Sequence, residues 1–364
     1  MKIQEVLNHL QTLAPLPYAE DFDNTGLLVG DAQAALTGIL VTLDTLEAVV
    51  DEAITKDCNL IVSFHPIIFS GLKKITGRTY VERVVQKAIK HDIAIYAIHT
   101  ALDNDWNGVN AKICEKLQLK NRRILLPKQR HIQKLTTYVP TDHASALKEA
   151  LFAVGAGSIG NYDHCSFSSE GIGSFRGNEA ANPTIGKKGK THYEPEQQIG
   201  ITFPKHLQKN IINTLKQAHP YEEVAYEIVT LENTHQHMGM GMIGYWDEGL
   251  SETKFLELLK DTFHCGCIKH SKLLNKPITA VAVLGGSGSF AIDAAKAAGA
   301  DAFVTADLKY HDYFKAEGSI LLADIGHYES EQFTKELLVD ALKEKITNFA
   351  VVLSQINTNP ITCF

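Results

Sequence analysis

At 364 residues the chain is too long to form one compact core, so two or three domains are expected. An apolar content of 45% fits a globular protein, and a net charge of -7 argues against a general nucleic-acid footprint. The opening MKIQEVLNHLQTLAPL lacks the apolar block of a secretory signal and no later run is long enough to span a bilayer, so the expectation is a soluble cytoplasmic protein.

Ile3, Val6, Leu7, Leu10 and Leu13 recur at helical spacing, and Pro15 stops that helix. AEDFDNTGLLVGD follows as a loop, a short strand and a second turn. GILVTLD, Gly38 to Asp44, reads as a buried strand, and a helix over 46–56 leads to a second strand, NLIVSFHP, that ends in His65. Another helix over 81–91 precedes IAIYAIHTALD, which carries His99 and Asp103. Strands alternating with helices predict a largely parallel sheet covered on both faces, with function at the carboxyl ends of its strands.

Between residues 130 and 233 the pattern becomes strand, helix, two strands around a Gly- and Ser-rich region, helix, strand. That order is the split βαβ, ferredoxin-like arrangement, and it predicts an inserted domain able to fold by itself. NTHQHMGMGMIG then reads as a linker, in which His235 and His237 are more plausibly solvated than metal-bound. The predicted organisation is therefore two α/β half-domains, 1–129 and 234–364, with 130–233 inserted between them.

The C-terminal part repeats the N-terminal one. TAVAVLGGSGS matches GILVTLD, DAFVTAD matches NLIVSFH, and ILLADIGHYESE matches IAIYAIHTALD. Asp307 thereby falls opposite His65, His327 opposite His99, and Glu331 opposite Asp103. A helix starting near His327 places His327 and Glu331 on one face at the mouth of a sheet, a pairing suited to zinc, iron or manganese. Two weaker candidates remain. GGSGS lacks the dinucleotide fingerprint and the Walker lysine, so it reads as a tight strand-to-helix turn. HCGCIKH, His264 to His270, reads as a strand over 263–268 rather than as a zinc site, and the six cysteines read as reduced thiols.

FDNTGLLVGD, IVSFHPIIF, AIHTALDN, GSGS, TADLKYHD and GHYESE, in that order, resemble the NIF-three-like family, also known as the GTP cyclohydrolase 1 type 2 homologs. The block ending in HPYEEVAYEI looks like the PII/CutA-like insert of the longer members. The resemblance implies a homohexameric ring with a dinuclear metal centre between the half-domains. It implies His65, Asp103, His327 and Glu331 as ligands, with Glu331 bridging the ions. The family's His-His-Pro motif is altered here, because Phe64 replaces the first histidine. The expectation is one sound site from His65, Asp103 and Glu331, and a second weakened to His327, Glu331 and water or a substitute. His99, Asp307 and His311 are candidates for that substitute, for a catalytic base, or for orienting the ligands. Two functions follow: hydrolysis by metal-activated water on an unknown small molecule, or a non-catalytic metal-binding or regulatory ring whose insert binds a small ligand or partner.

Overall fold

A computed structural model describes residues 1–363. The chain forms two compact units, one from Met1–Leu126 with His237–Phe364 and one from Pro127–Gln236. Unit 1 begins with β1 (Gly26–Val29), β2 (Gly38–Thr42), β3 (Leu60–Ser63), β4 (Ala94–Ala97) and most of β5 (Lys120–Gln129). Unit 2 holds β6 (Ile132–Pro140), β7 (Phe167–Phe175), β8 (His192–Pro204) and β9 (Tyr226–Leu231). The chain re-enters unit 1 along β10 (Thr234–Leu250), then forms β11 (Lys269–His270), β12 (Ile278–Ser287), β13 (Ala302–Ala306), β14 (Leu321–Asp324) and β15 (Ala350–Leu353).

Unit 1 is a mixed α/β unit with two sheets of matching design. In the first, ordered β1-β4-β3-β2-β15, strands β15, β2, β3 and β4 run parallel and β1 lies antiparallel along β4. In the second, ordered β11-β14-β13-β12-β10-β5, strands β12, β13 and β14 run parallel and β11 lies antiparallel along β14. The period of two in a strand explains the layering. Ile39, Val41, Leu60, Val62 and Tyr96 point into one central core that also takes Val281, Val283, Val304 and Ala323 from the other sheet. Their neighbours Leu40, Ile61 and Ile95 pack outward under helices of the first half, and Ala282, Phe303 and Leu322 do the same in the second. Both sheets are therefore apolar on both faces, as parallel sheets require.

In each half the third parallel strand runs into a five-residue helix, His99–Asp103 after β4 and His327–Glu331 after β14. Each helix begins with a histidine and ends with an acid. Gly326 takes φ +96 to turn the chain into the second, a left-handed conformation that favours glycine.

Unit 2 is a four-stranded antiparallel sheet ordered β7-β8-β6-β9, with helices Ala144–Ala153 and Gln208–Ala218. Their Leu147, Leu151, Ile211 and Leu215 close a separate core over Leu135, Val139, Ile199 and Ile201.

Two sequence expectations are corrected. Residues 263–268 are not a strand: the helix Glu252–Phe263 runs on through Phe263 and ends at His264, which adopts a left-handed cap. Phe255, Leu259 and Phe263 bury one face of that helix, so burial at intervals of four overrides the strand-like Cys-x-Cys spacing. The glycine-rich stretch read as a linker lies in β10, whose Met238, Met242 and Ile243 are buried. Turn-forming composition there gave way to pairing with β12.

Candidate metal centre

His65, His327 and Glu331 each offer a ligand atom, and these atoms lie within 4.8 Å of one another. His65 stands just past the end of β3, and the other two are the first and last residues of the helix after β14. Both imidazoles approach the same carboxylate oxygen, with Nε2 of His65 at 3.1 Å and Nε2 of His327 at 3.2 Å from Glu331 Oε2. Neither contact is aligned as a hydrogen bond, and Oε2 is buried without a hydrogen-bond partner among the described residues. Ligands at about 2.0 Å around a tetrahedral ion stand about 3.3 Å apart, so this spacing suits a shared cation.

The far side of each ring is held by a carboxylate. His65 Nδ1–H donates to Asp44 Oδ1 at 2.8 Å, and Asp44 Oδ2 in turn accepts from Thr358 Oγ1 at 2.6 Å. His327 Nδ1–H donates to Asp307 Oδ2 at 2.6 Å, and Ser287 Oγ also donates to that oxygen. His99 Nδ1–H donates to Asp23 Oδ1 at 2.8 Å. A carboxylate can only accept, so each pairing holds a proton on Nδ1 and leaves Nε2 as the nitrogen that can bind a metal once its own proton is lost, the usual arrangement of a metal-binding imidazole.

Charge follows the same geometry. Burial pushes the His65 imidazole down, but Asp44 and Glu331 outweigh it and raise its pKa to about 10. Burial likewise acts against the His327 imidazolium, and Asp307 with Glu331 raises it to about 11. Burial would raise Glu331, yet His327 and His65 hold it below the ordinary carboxylate range. The hydrogen bond from His327 keeps Asp307 down at about 2.

Asp103 stands outside the three-residue group, at the end of the equivalent helix. Its Oδ1 is buried with no hydrogen-bond partner among the described residues, and burial, then the Glu331 charge, pushes the carboxyl well above its ordinary pKa. Such an acid is poised either to keep a proton or to meet a cation. His99 lies close by, its ring centroid 5.2 Å from that of His65 and 5.6 Å from that of Phe64. His311 is exposed and packs on Tyr310 and Phe314. His237 packs against Trp106. Phe64 is fully buried, its ring 4.9 Å from that of His65.

Gly286 leaves the floor of the site open. A Cβ there would fall 2.4 Å from Glu331 Oε1 and 3.3 Å from His327 Nε2, and its φ of +70 favours glycine independently. The orphaned oxygens, the oriented imidazoles and this open floor all fit a divalent ion. Asp44 and Asp23 carry no site reading in the sequence, and Gly286 reads there only as part of the GGSGS turn. Asp44 follows β2 and Gly286 lies at the end of β12, both at carboxyl ends of parallel strands, whereas Asp23 precedes β1 and has no such signal.

Paired α/β half-sheets with a histidine and carboxylate cluster at their strand ends define the class of this protein. The chain belongs to the Duf34/NIF3 (NGG1p interacting factor 3) family, whose sequence profile matches residues 1–360. A Bacillus subtilis protein named GTP cyclohydrolase 1 type 2 homolog is 37% identical over 368 residues, covering 99% of this chain and 98% of its own. The crystal structure of a Bacillus cereus protein related to NIF3 superposes with a TM-score of 0.87 at 35% identity, covering 100% of this chain and 99% of that one. Reduced HcgD from Methanocaldococcus jannaschii shares the fold, with a TM-score of 0.59 at 19% identity over 98% of each chain.

Proposed function

We propose that this chain is a metal-binding protein that promotes hydrolysis, with His65, Asp103, His327 and Glu331 as ligands to zinc, iron or manganese. The observation that carries the reading is the single Glu331 oxygen lying 3.1 Å and 3.2 Å from two imidazole nitrogens with no hydrogen bond between them. Bound there, a divalent ion supplies Lewis acidity and a water of lowered pKa. The chain's own residues do the rest. Asp44 and Asp307 keep the two imidazoles in the tautomer that presents Nε2. Glu331 joins the two histidines, and Asp103, buried at the end of the equivalent helix, would complete the set from the other half. His99, steadied by Asp23 and one ring away from His65, is placed to take a proton from an attacking water. His311, packed on Tyr310 and Phe314, is the weaker candidate for that base.

Phe64 favours a second reading, a non-catalytic metal-binding or regulatory protein, because by the family resemblance it replaces a histidine that would serve a second ion, and its ring is fully buried. In that reading unit 2 takes a small ligand. Its βαββαβ order and β7-β8-β6-β9 sheet support a ferredoxin-like, PII/CutA-like module. A homohexamer is proposed with either reading.

The test is to purify the protein without chelators, count metal per chain by elemental analysis, and assay phosphodiesters, nucleotides and cyclic amides with added manganese, zinc or iron. Turnover that disappears in Glu331→Ala supports hydrolysis. Bound metal without turnover on any of these substrates favours the regulatory reading, and absence of bound metal contradicts both.

A further inference from the structure

We infer that unit 2 carries a binding site for a small organic cation, an ammonium or amidinium on an apolar body, in a cavity of 600 Å³ anchored by the Glu196 carboxylate. The ligand class gives content to the regulatory reading, but the site does not depend on any chemistry at the metal centre.

Glu196 is in an unusual place for a carboxylate. Along β8, Ile199 and Ile201 point into the helix-covered core, so the period of two turns Glu196 to the other face of the sheet, level with Gly171 of β7 and Pro140 of β6. An acid on a face without helices should be wet, yet Glu196 is only 9% exposed. The segment joining β7 to β8 helps to line the cavity, and it is tied to the turn after helix Gln208–Ala218. Asn182 N–H donates to Glu222 Oε1 at 2.7 Å, and Thr184 Oγ1 donates to the Pro220 carbonyl at 2.8 Å.

Within that cavity only half of the carboxylate is satisfied. Tyr221 donates its hydroxyl to Glu196 Oε1 at 2.8 Å, and among the described residues no group donates to Oε2. Oε2 occupies space that a side chain at position 173 would take, since a Cβ on Gly173 would fall 2.1 Å from it. A half-satisfied carboxylate in a half-open cavity is a strong acceptor for the charged N–H of an ammonium or amidinium.

The walls agree with that choice. Phe175 and Tyr221 stand nearly edge to face, with centroids 5.4 Å apart at 62°, and they offer ring faces to a cation and apolar surface to its body. Of the charged groups lining the cavity, Glu196, Glu222 and Glu223 outnumber Arg176. An anion would meet the Glu196 carboxylate at close range. A bare metal ion is disfavoured because no group of three histidine, cysteine or carboxylate ligand atoms forms here among the described residues.

The experiment uses the full chain, with benzamidine and phenethylamine as probes and benzoate as the control, read by calorimetry and ligand-observed NMR. Both cations should bind saturably and benzoate should not. Glu196→Gln keeps the shape and the Tyr221 contact, and it should weaken benzamidine by about tenfold or more, the loss of one charge-assisted hydrogen bond. Gly173→Ala, which sets a methyl group against Oε2, should weaken it as well, while Glu331→Ala should leave it unchanged. Three results would each overturn the proposal: no saturable binding by either cation, benzoate binding as tightly as benzamidine, or undiminished benzamidine affinity in both Glu196→Gln and Gly173→Ala, each judged correctly folded by circular dichroism.

Discussion

The two halves of unit 1 run strand, helix, strand, helix, strand, short helix in the same spatial order, yet they supply different chemistry from equivalent places. After the middle parallel strand the first half offers His65, whose Nε2 faces Glu331; the second half offers Asp307, whose carboxylate steadies the back of His327. After the third strand both halves offer a histidine and, four residues on, an acid. In the first half the histidine is turned onto Asp23 and the acid, Asp103, is buried without a hydrogen-bond partner on Oδ1. In the second, the histidine and acid meet each other, His327 Nε2 lying 3.2 Å from Glu331. The Glu331 carboxylate reaches the histidines of both halves, whereas Asp103 is not part of that mutually close group and would join it only by closing on a bound ion. Duplicated topology thus sets where side chains arrive, and the residue type at each arrival point decides whether it can meet a metal or only orient what does.

The largest expected effect comes from removing the residue common to both halves. Glu331→Ala should abolish tight metal binding, measured by elemental analysis after gel filtration. Retention of a full complement of metal would mean that the His65 and His327 nitrogens do not depend on the acid between them.

Next come the two orienting carboxylates. Asp44→Asn and Asp307→Asn should each lower metal affinity by about 10–100-fold, read by competition with a chromogenic chelator. Each acid is braced by a hydroxyl, Thr358 on Asp44 and Ser287 on Asp307, and Asp44 should matter more because its side chain is 33% exposed against 44% for Asp307. Equal and negligible effects would show that the halves do not use these acids to set the imidazoles.

Phe64→His tests the departure from the family pattern. A polar ring in a fully buried site should cost stability on the order of 1–3 kcal/mol in the metal-free protein, followed by denaturant titration. With zinc present the same variant should bind more metal per chain than the parent. A parent that already holds two tightly bound ions would remove the basis for this expectation.

The smallest effect is that of pH. His65 and His327 titrate near 10 and 11 in the metal-free fold, above the ordinary imidazole value, so their stabilising contribution is complete below about pH 6.5 and is lost as pH rises through those values. Glu331, held below the ordinary range, contributes in the opposite sense: its share is present above about pH 4.5 and is lost on acidification. Metal binding at pH 7 must therefore displace protons from both imidazoles, and calorimetry in buffers of different ionisation enthalpy should detect their release. No release would place the metal elsewhere.

Much of this was legible in the sequence, because buried parallel strands read as apolar runs and the repeated His-to-acid interval survives in both halves. His327 and Glu331 follow from those two signals, whereas His65 reads from them only as a strand-end histidine and takes its ligand role from the family resemblance. Asp44 and Asp23 follow from neither, since their roles depend on contacts across 21 and 76 residues that only the fold creates. Gly286 was visible only as part of a turn, because the need for an open floor appears once Glu331 is beside it. The helix through Phe263 was hidden by a local Cys-x-Cys spacing, and β10 by its glycines; in both cases tertiary burial outweighed local pattern.

The most direct measurement is a crystal structure of the protein grown with zinc or manganese, with anomalous difference density collected at the metal edge. The expected result is a peak at coordination distance, about 2.0–2.2 Å for zinc, from Nε2 of both His65 and His327 and from the Glu331 carboxylate. Density lying elsewhere, with both imidazoles and Glu331 still facing one another around an empty centre at saturating metal, would contradict it.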